Sequence, residues 1–283
     1  MKKHTSNPKR KNKLKAFHKL FVTAIVGVFI LASLVVFYYK LDPALLAKLS
    51  FYIDLANPSV KIVRIQEGWR KEQIGEELAE KIGWDETEKS TFINAHIALN
   101  TQDLEGRYFP KTYLLDKDID PETASEIMLE EFEKQTDKIK IPASKQIINE
   151  DTALKIASLI QREAAGKHDM RLISGIIWNR IFSGMKLQID ATLQYAKGSE
   201  EDGWWRRVNS VDKKIESEYN TYLYEGLPPG AIANPGLEAI KAAYNPEETK
   251  CMFYLHDRNR KIHCAVTYEE HKQNIATYLQ SPK

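Results

Sequence analysis

The stretch Asp151-Thr-Ala-Leu-Lys-Ile-Ala-Ser-Leu-Ile-Gln-Arg-Glu-Ala-Ala-Gly166 repeats apolar residues at intervals of three and four positions. This period predicts an amphipathic helix that buries one side in a core. The apolar stripe consists of Ala153, Ile156, Ala157, Ile160 and Ala164. Asp151 or a neighbour can cap the first turn, and Gly166 predicts the end of the helix.

Glu163 occupies the border of this stripe, about 20° beyond Ile156 on a helical wheel. Partial burial and the negative end of the helix dipole both raise the pKa of a carboxyl at this place. A general acid that works near neutral pH needs such a raised pKa. Three nearby groups oppose the shift: Arg162, Lys167 and His168. From the residues alone, an ordinary border glutamate remains the simpler interpretation.

The elements after this helix continue the same domain. Apolar spacing from about Met170 predicts a second helix that ends at Gly184, and the alternation of Met185 to Asp190 predicts a short strand. A third helix is expected from Asp190 to Gly198. Consecutive packing would bring Gln188 and Asp190 towards the loop after Glu163, where they could bind a substrate. A simple N-cap role explains Asp190 equally well.

The segment from Tyr219 to Gly236 combines three tyrosines with prolines and glycines. It cannot continue a helix or a central strand, and it is too aromatic for a solvated linker, so we expect an ordered loop. Aromatic rings beside polar side chains suit a sugar-binding groove, although a purely structural loop is an equal alternative. Further on, Met252 to Leu255 and Ile262 to Val266 predict a hairpin.

The region before these elements predicts a smaller α+β unit. Val60 to Ile65 reads as a half-buried strand, and the turn at Glu67-Gly68 leads to an amphipathic helix that ends at Gly83. Strand, turn and helix resemble the opening of a LysM-like glycan-binding module. A further helix is expected around Ala124 to Phe132, and Pro142 is a plausible domain boundary.

The N-terminal part has the pattern of a membrane anchor. Residues 20–39 carry no charge, and twenty helical residues are about the length that crosses a bilayer. Bulky residues end the run where a cleaved signal peptide would have small ones, which favours an uncleaved anchor. The anchor is predicted to lie in the cell membrane, and the basic tip, residues 1–19, predicts that the N-terminus is cytoplasmic. Residues 40–57 would then form a connector, and the remaining chain would lie on the outer face.

Charge and cysteine content exclude several classes of protein. Eight of the 41 basic residues lie in the first nineteen positions, so 33 basic residues face 39 acidic ones in the remainder. This balance argues against nucleic acid as a partner. The spacing of the cysteines and histidines matches no common zinc site, and no metal or cofactor is expected. A symmetric hairpin would place Cys251 opposite Thr267 rather than Cys264, so a disulfide between the two cysteines is left open.

Several motifs, taken in order, resemble the YceG-like (MltG) family of membrane-anchored endolytic murein transglycosylases. They are Leu104–Tyr113, Ala157–Ala164, Asn179-Arg180, Gly184–Asp190, Tyr219–Tyr222, Gly226–Gly230, Ala233–Gly236 and Ala242–Pro246. The resemblance implies an α+β fold with one transmembrane helix, a LysM-like domain over residues 58–142 and a catalytic domain over residues 143–283.

The resemblance also implies a function and a set of site residues. Glu163 would be the catalytic acid and base of a lyase that cleaves the MurNAc-GlcNAc bond within nascent peptidoglycan strands, leaves 1,6-anhydroMurNAc ends and terminates glycan elongation. The residues that belong to the site or its support would be Gln188, Asp190, Tyr195, Tyr219, Asn220, Thr221 and Tyr222. The expected partners are glycan strands, the membrane and peptidoglycan synthases. The alternative is a membrane-anchored scaffold that binds peptidoglycan without cutting it.

Overall fold

The structure is a computed structural model that describes residues 22–34, 48–49, 52, 57–95, 103–139 and 148–280. The chain divides into two compact units, residues 1–58 and 59–283. In the first unit, residues 22–34 are helical. Within the described ranges, no helix combines the length and the hydropathy needed to cross a bilayer. The other residues of the predicted span, 20–21 and 35–39, lie outside the described residues, as do the basic tip and most of the predicted connector.

The second unit begins with a small α+β arrangement. Its elements are β1 (Val60–Arg64), α1 (Lys71–Ile82), α2 (Glu86–Ile93), β2 (Thr112–Asp116) and α3 (Pro121–Thr136). The two strands are antiparallel, with Val60 opposite Asp116 and Arg64 opposite Thr112. Gly83 ends α1 with φ of 95°, a left-handed conformation that suits glycine. The predicted strand, the helix that ends at Gly83 and the helix around 124–132 are confirmed.

The larger part of the second unit is mostly helical. Its elements are α4 (Glu150–Glu163), α5 (Met170–Phe182), α6 (Asp190–Lys197), a 3-10 turn (Asp212–Lys214), α7 (Leu237–Tyr244), β3 (Phe253–His256), β4 (Ile262–Ala265), α8 (Tyr268–Ile275) and a π turn (Ala276–Gln280). Asn149 caps α4 by accepting from the amide of Thr152. The α+β class is confirmed, and so are the helices predicted from 151, 170 and 190.

Among the described residues of this unit, two hydrophobic clusters form the core. The first gathers α1, α2 and β2 around Ile74, Leu78, Phe92, Tyr108 and Leu115. In the second, the stripe of α4 packs against α5 and α7. Phe109 and Phe132 belong to this second cluster although they precede position 142. The predicted boundary at Pro142 lies outside the described residues, so the division into domains 58–142 and 143–283 stays a prediction.

The strand predicted over Met185 to Asp190 is wrong, because residues 185–189 are irregular. Gln188 has φ of 52°, which turns the chain away from an extended path. The amide of Gln188 donates to the carbonyl of Thr221 at 3.0 Å, a contact with a loop rather than with a strand. Leu187 and Ile189 on either side are buried and anchor the segment.

The C-terminal hairpin has the predicted symmetric register, with Tyr254 opposite Cys264 and His256 opposite Ile262. The sequence left the pairing of the two cysteines open. In the structure Cys251 and Cys264 form a disulfide, with their Cα atoms 5.8 Å apart. Cys251 lies before the first ladder residue, so the register does not determine its position. The disulfide ties the entry of β3 to β4.

Candidate active site

Glu163 is the last residue of α4 and is partly buried, as its border position predicts. The chain directly after it is held by Asp169, whose side chain is inaccessible to solvent. The carboxylate of Asp169 accepts hydrogen bonds from the amides of Ala165 at 2.9 Å and Gly166 at 3.2 Å. These bonds satisfy backbone donors next to the helix end and define where Glu163 is presented.

The carboxyl of Glu163 has a direct partner in Tyr254, from strand β3. The Tyr254 hydroxyl donates a 2.6 Å hydrogen bond to Oε2 of Glu163. Sequence reasoning missed Tyr254, because 91 positions separate the two residues and Tyr254 carries no local motif. The only available signal was its place in the predicted hairpin.

Burial is the main cause that raises the pKa of Glu163, and the negative charge of Asp190 raises it further. The Tyr254 hydroxyl, the nearby His256 side chain and the backbone amide of Ala191 lower the pKa of Glu163. The predicted direction of the shift is confirmed. A raised pKa keeps a proton on this carboxyl nearer to neutral pH, as a general acid requires.

Asp190 reaches the same place from the first turn of α6. Ile189, not Asp190, is the cap residue of that helix, and the Asp190 side chain makes no capping bond. Instead Oδ1 of Asp190 accepts a 2.6 Å hydrogen bond from the hydroxyl of Tyr222. The structure therefore does not use the Asp190 side chain as an N-cap, and its place in the site stays a prediction.

Tyr222 borders this pair of carboxyls, and Gln188 lies two positions before Asp190 in the chain. The side chain of Gln188 is exposed, and its backbone adopts a left-handed conformation that is uncommon outside glycine. Backbone strain of this kind occurs often at functional sites. Burial is the first cause that raises the pKa of Tyr222, and its bond to Asp190 adds to the effect. The phenol therefore stays a hydrogen-bond donor.

Asn220 and Thr221 lie behind the site and are buried. The Asn220 amide donates to the carbonyls of Lys213 and Ile215. The Thr221 hydroxyl accepts from the amide of Ile189 at 3.0 Å. Asn220 therefore fixes the conformation of its loop, and Thr221 connects this loop to the irregular segment 185–189.

Tyr195 and Tyr219 form a second group, with ring centroids 4.8 Å apart. The Tyr195 hydroxyl points to Oε2 of Glu105 at 3.5 Å, and the guanidinium of Arg70 lies 4.1 Å from the Tyr195 ring centroid. Burial raises the pKa of Tyr219 to about 12. The two rings thus connect α6 and the loop of residues 219–236, the tyrosine loop, to the 58–142 part of the chain.

Glu105 is the centre of this second group and is buried. It accepts hydrogen bonds from the backbone amide of Lys71 at 3.1 Å and from the side-chain amide of Asn234 at 2.9 Å. Burial, followed by the charge of Glu72, raises its pKa to about 8. A cavity of about 290 Å³ lies beside Glu105, and the tyrosine loop contributes Pro229 and Gly230 to its lining. The loop is therefore ordered, as predicted.

Four of the cysteines and histidines considered for zinc have other partners. Cys251 and Cys264 are joined in the disulfide and offer no thiolate. His256 lies 2.7 Å from the carboxylate of Asp169, and His263 lies 3.0 Å from that of Asp257. Among the described residues, no three potential ligands converge on a metal position.

The fold and the site together define an α+β protein in which a carboxyl with a raised pKa lies at a helix end and bonds to a tyrosine hydroxyl. The chain belongs to the YceG-like family, whose model matches residues 16–277. It is similar to a crystal structure of a YceG-like protein from Listeria monocytogenes, with a TM-score of 0.63 and 27% identity, covering 77% of this chain and 76% of that one.

Two curated relatives carry the name endolytic murein transglycosylase. The protein from Bacillus subtilis (strain 168) is 36% identical over 182 residues, and that from Streptococcus pneumoniae serotype 2 (strain D39 / NCTC 7466) is 29% identical over 180 residues. Each match covers 63% of this chain. This chain spans about half the length of the first relative, 49%, and 33% of the second.

Proposed function

We propose that this protein is an endolytic murein transglycosylase with Glu163 as its acid and base. The observation that carries the proposal is the state of this carboxyl: partly buried, raised in pKa, and bonded to Tyr254 at 2.6 Å. The names of the curated relatives support the same reaction and substrate. Peptidoglycan strands are therefore the proposed substrate.

The reaction uses one carboxyl twice. Protonated Glu163 gives its proton to the glycosidic oxygen that links MurNAc C1 to GlcNAc, and that bond breaks. The carboxylate then takes the proton of the MurNAc C6 hydroxyl, whose oxygen bonds to C1 and closes the 1,6-anhydro ring. Glu163 ends the cycle protonated again. The internal hydroxyl gains from proximity and takes the place of the water that a hydrolase activates.

Asp190 gives the site a second carboxylate, and ordinary glycosidases use two. Hydrolysis is therefore the reaction against which the lyase chemistry must be tested. In this proposal Asp190 accepts the Tyr222 hydroxyl and raises the pKa of Glu163 rather than activating water. The two reactions leave different ends on the glycan, anhydro in one case and reducing in the other.

The test is mass spectrometry of fragments that the full chain, purified in detergent, releases from intact wall polymer. We expect anhydro ends from the wild type and no cleavage by Glu163→Gln, because an amide cannot act as a general acid or base. Glu201→Gln, at an exposed position, is the matched control and should cut normally. Reducing ends from the wild type would indicate hydrolysis, and an active, equally stable Glu163→Gln would refute the role of Glu163.

The alternative scaffold function predicts that glycan strands are held but never shortened, so the same experiment decides between the two functions.

Membrane anchoring is also part of the proposal. Its support is the uncharged run 20–39, which the family match includes, together with the basic tip, for which the positive-inside rule predicts a cytoplasmic location. Such an anchor would hold the enzyme near new glycan strands and their synthases at the outer face of the cell membrane.

A further inference from the structure

Strand β3 directs two polar side chains at the end of α4. Tyr254 and His256 are two positions apart in the strand, so they project from the same face. The hydroxyl of Tyr254 bonds to Oε2 of Glu163 at 2.6 Å, and Nε2 of His256 lies 2.7 Å from Oδ2 of Asp169. One face of β3 therefore contacts both the catalytic carboxyl and the residue that holds the loop after it.

The contact of His256 with Asp169 fixes the position of β3 relative to the end of α4, and with it the contact between Tyr254 and Glu163. Asp169 is buried and also accepts hydrogen bonds from the amides of Ala165 and Gly166, so it is fixed relative to the end of α4. A strand attached to Asp169 cannot slide along the helix without breaking these bonds. The Tyr254 hydroxyl is thereby preorganised on one oxygen of Glu163.

We propose that Tyr254 is a positioning residue for Glu163, a role that rests on the function proposed above. With Oε2 occupied by the Tyr254 hydroxyl, the transferable proton is confined to Oε1. Burial, together with the charge of Glu163, raises the pKa of Tyr254 well above its ordinary value, so the phenol keeps its own proton. The bond strengthens as Glu163 releases its proton, because hydrogen bonds to charged acceptors are the stronger ones.

The charged and titratable groups that face Glu163 come from four other elements and from its own helix. They are Asp190 from α6, Tyr222 from the tyrosine loop, His256 and Tyr254 from β3, Arg180 from α5 and Arg162 from α4. Loss of the Tyr254 hydroxyl removes the largest influence that lowers the pKa of Glu163, while burial and Asp190 continue to raise it. The pKa of Glu163 should therefore rise in Tyr254→Phe.

The experiment measures glycan cleavage by full-length wild type and Tyr254→Phe across a range of pH. A freely rotating, weaker acid should lower kcat about 10- to 100-fold with little change in KM. The alkaline limb of the pH profile should move up by about one pH unit, which corresponds to the loss of one hydrogen bond to a charged group. Tyr268→Phe, on the exposed start of α8, is the matched control and should behave as wild type.

A second variant separates positioning from folding. Incorporation of 3,5-difluorotyrosine at position 254 keeps the ring and gives a stronger hydroxyl donor, so the alkaline limb should move to lower pH. If Tyr254→Phe is folded but keeps the wild-type profile, or loses activity with no shift of either variant's limb, the positioning role is overturned. If Tyr254→Phe does not fold, the fluorinated variant decides in the same way. Wild type that cuts no glycan overturns the proposed function as well.

Discussion

The side-chain amide of Asn234 donates a 2.9 Å hydrogen bond to Oε1 of Glu105, across 129 positions of the chain. Asn234 is buried; its side-chain oxygen accepts from the amide of Tyr108 at 2.8 Å, and its side-chain nitrogen also donates to the carbonyl of Trp69 at 3.0 Å. All three partners lie in the 58–142 part. This asparagine thus joins the tyrosine loop to the smaller α+β arrangement.

Asn234→Ala should destabilise the fold by about 3 kcal/mol, because it leaves a buried carboxyl, a buried backbone amide and a partly buried backbone carbonyl with one partner fewer. The measurement is the free energy of unfolding in urea. Asn259→Ala, in the exposed hairpin turn, is the control and should change it by less than about 0.5 kcal/mol. Equal stability of the two variants would contradict the importance of the Asn234 bonds.

Glu105 should make stability depend on pH. Its pKa is raised from the ordinary 4.5 to about 8, chiefly by burial. Between these values the folded protein holds a proton that the unfolded chain releases, so the free energy of unfolding falls as pH rises, by about 1.4 kcal/mol per unit at most. Glu105→Gln should remove this slope relative to wild type, while Glu126→Gln at an exposed position should retain it. Parallel curves for wild type and Glu105→Gln would exclude the effect.

Asp190→Asn should move the pH profile of cleavage in the direction opposite to Tyr254→Phe. The negative charge of Asp190 raises the pKa of Glu163, so its removal lowers that pKa and shifts the alkaline limb down by about one unit. The asparagine oxygen can still accept the Tyr222 hydroxyl. Cleavage assays across pH measure the limb, and an unchanged limb would show that Asp190 has no electrostatic effect on the acid.

Loss of the disulfide between Cys251 and Cys264 should cost about 3 kcal/mol, since a bridge across 13 positions restricts the unfolded chain. Urea unfolding with and without a reducing agent measures this cost. A variant with both cysteines replaced by alanine should be insensitive to the reducing agent. An identical midpoint for oxidised and reduced wild type would mean that the bridge adds no stability.

Much of the fold follows from local patterns. The apolar period and a terminal glycine predict α1, α4 and α5, and the predicted hairpin has the observed register. The strand predicted over 185–190 was wrong, because the alternation of apolar and polar side chains does not reveal that the amide of Gln188 donates to the carbonyl of Thr221. Strand β2 also escaped prediction, although it is the antiparallel partner of β1.

The sequence alone determined which carboxyl stands at the end of an amphipathic helix, because the helical period places Glu163 at the border of a buried stripe. Only the tertiary structure decided what surrounds that carboxyl. Tyr254, Asp190 and His256 come from other elements, and their approach depends on packing across long separations in sequence that no local period records.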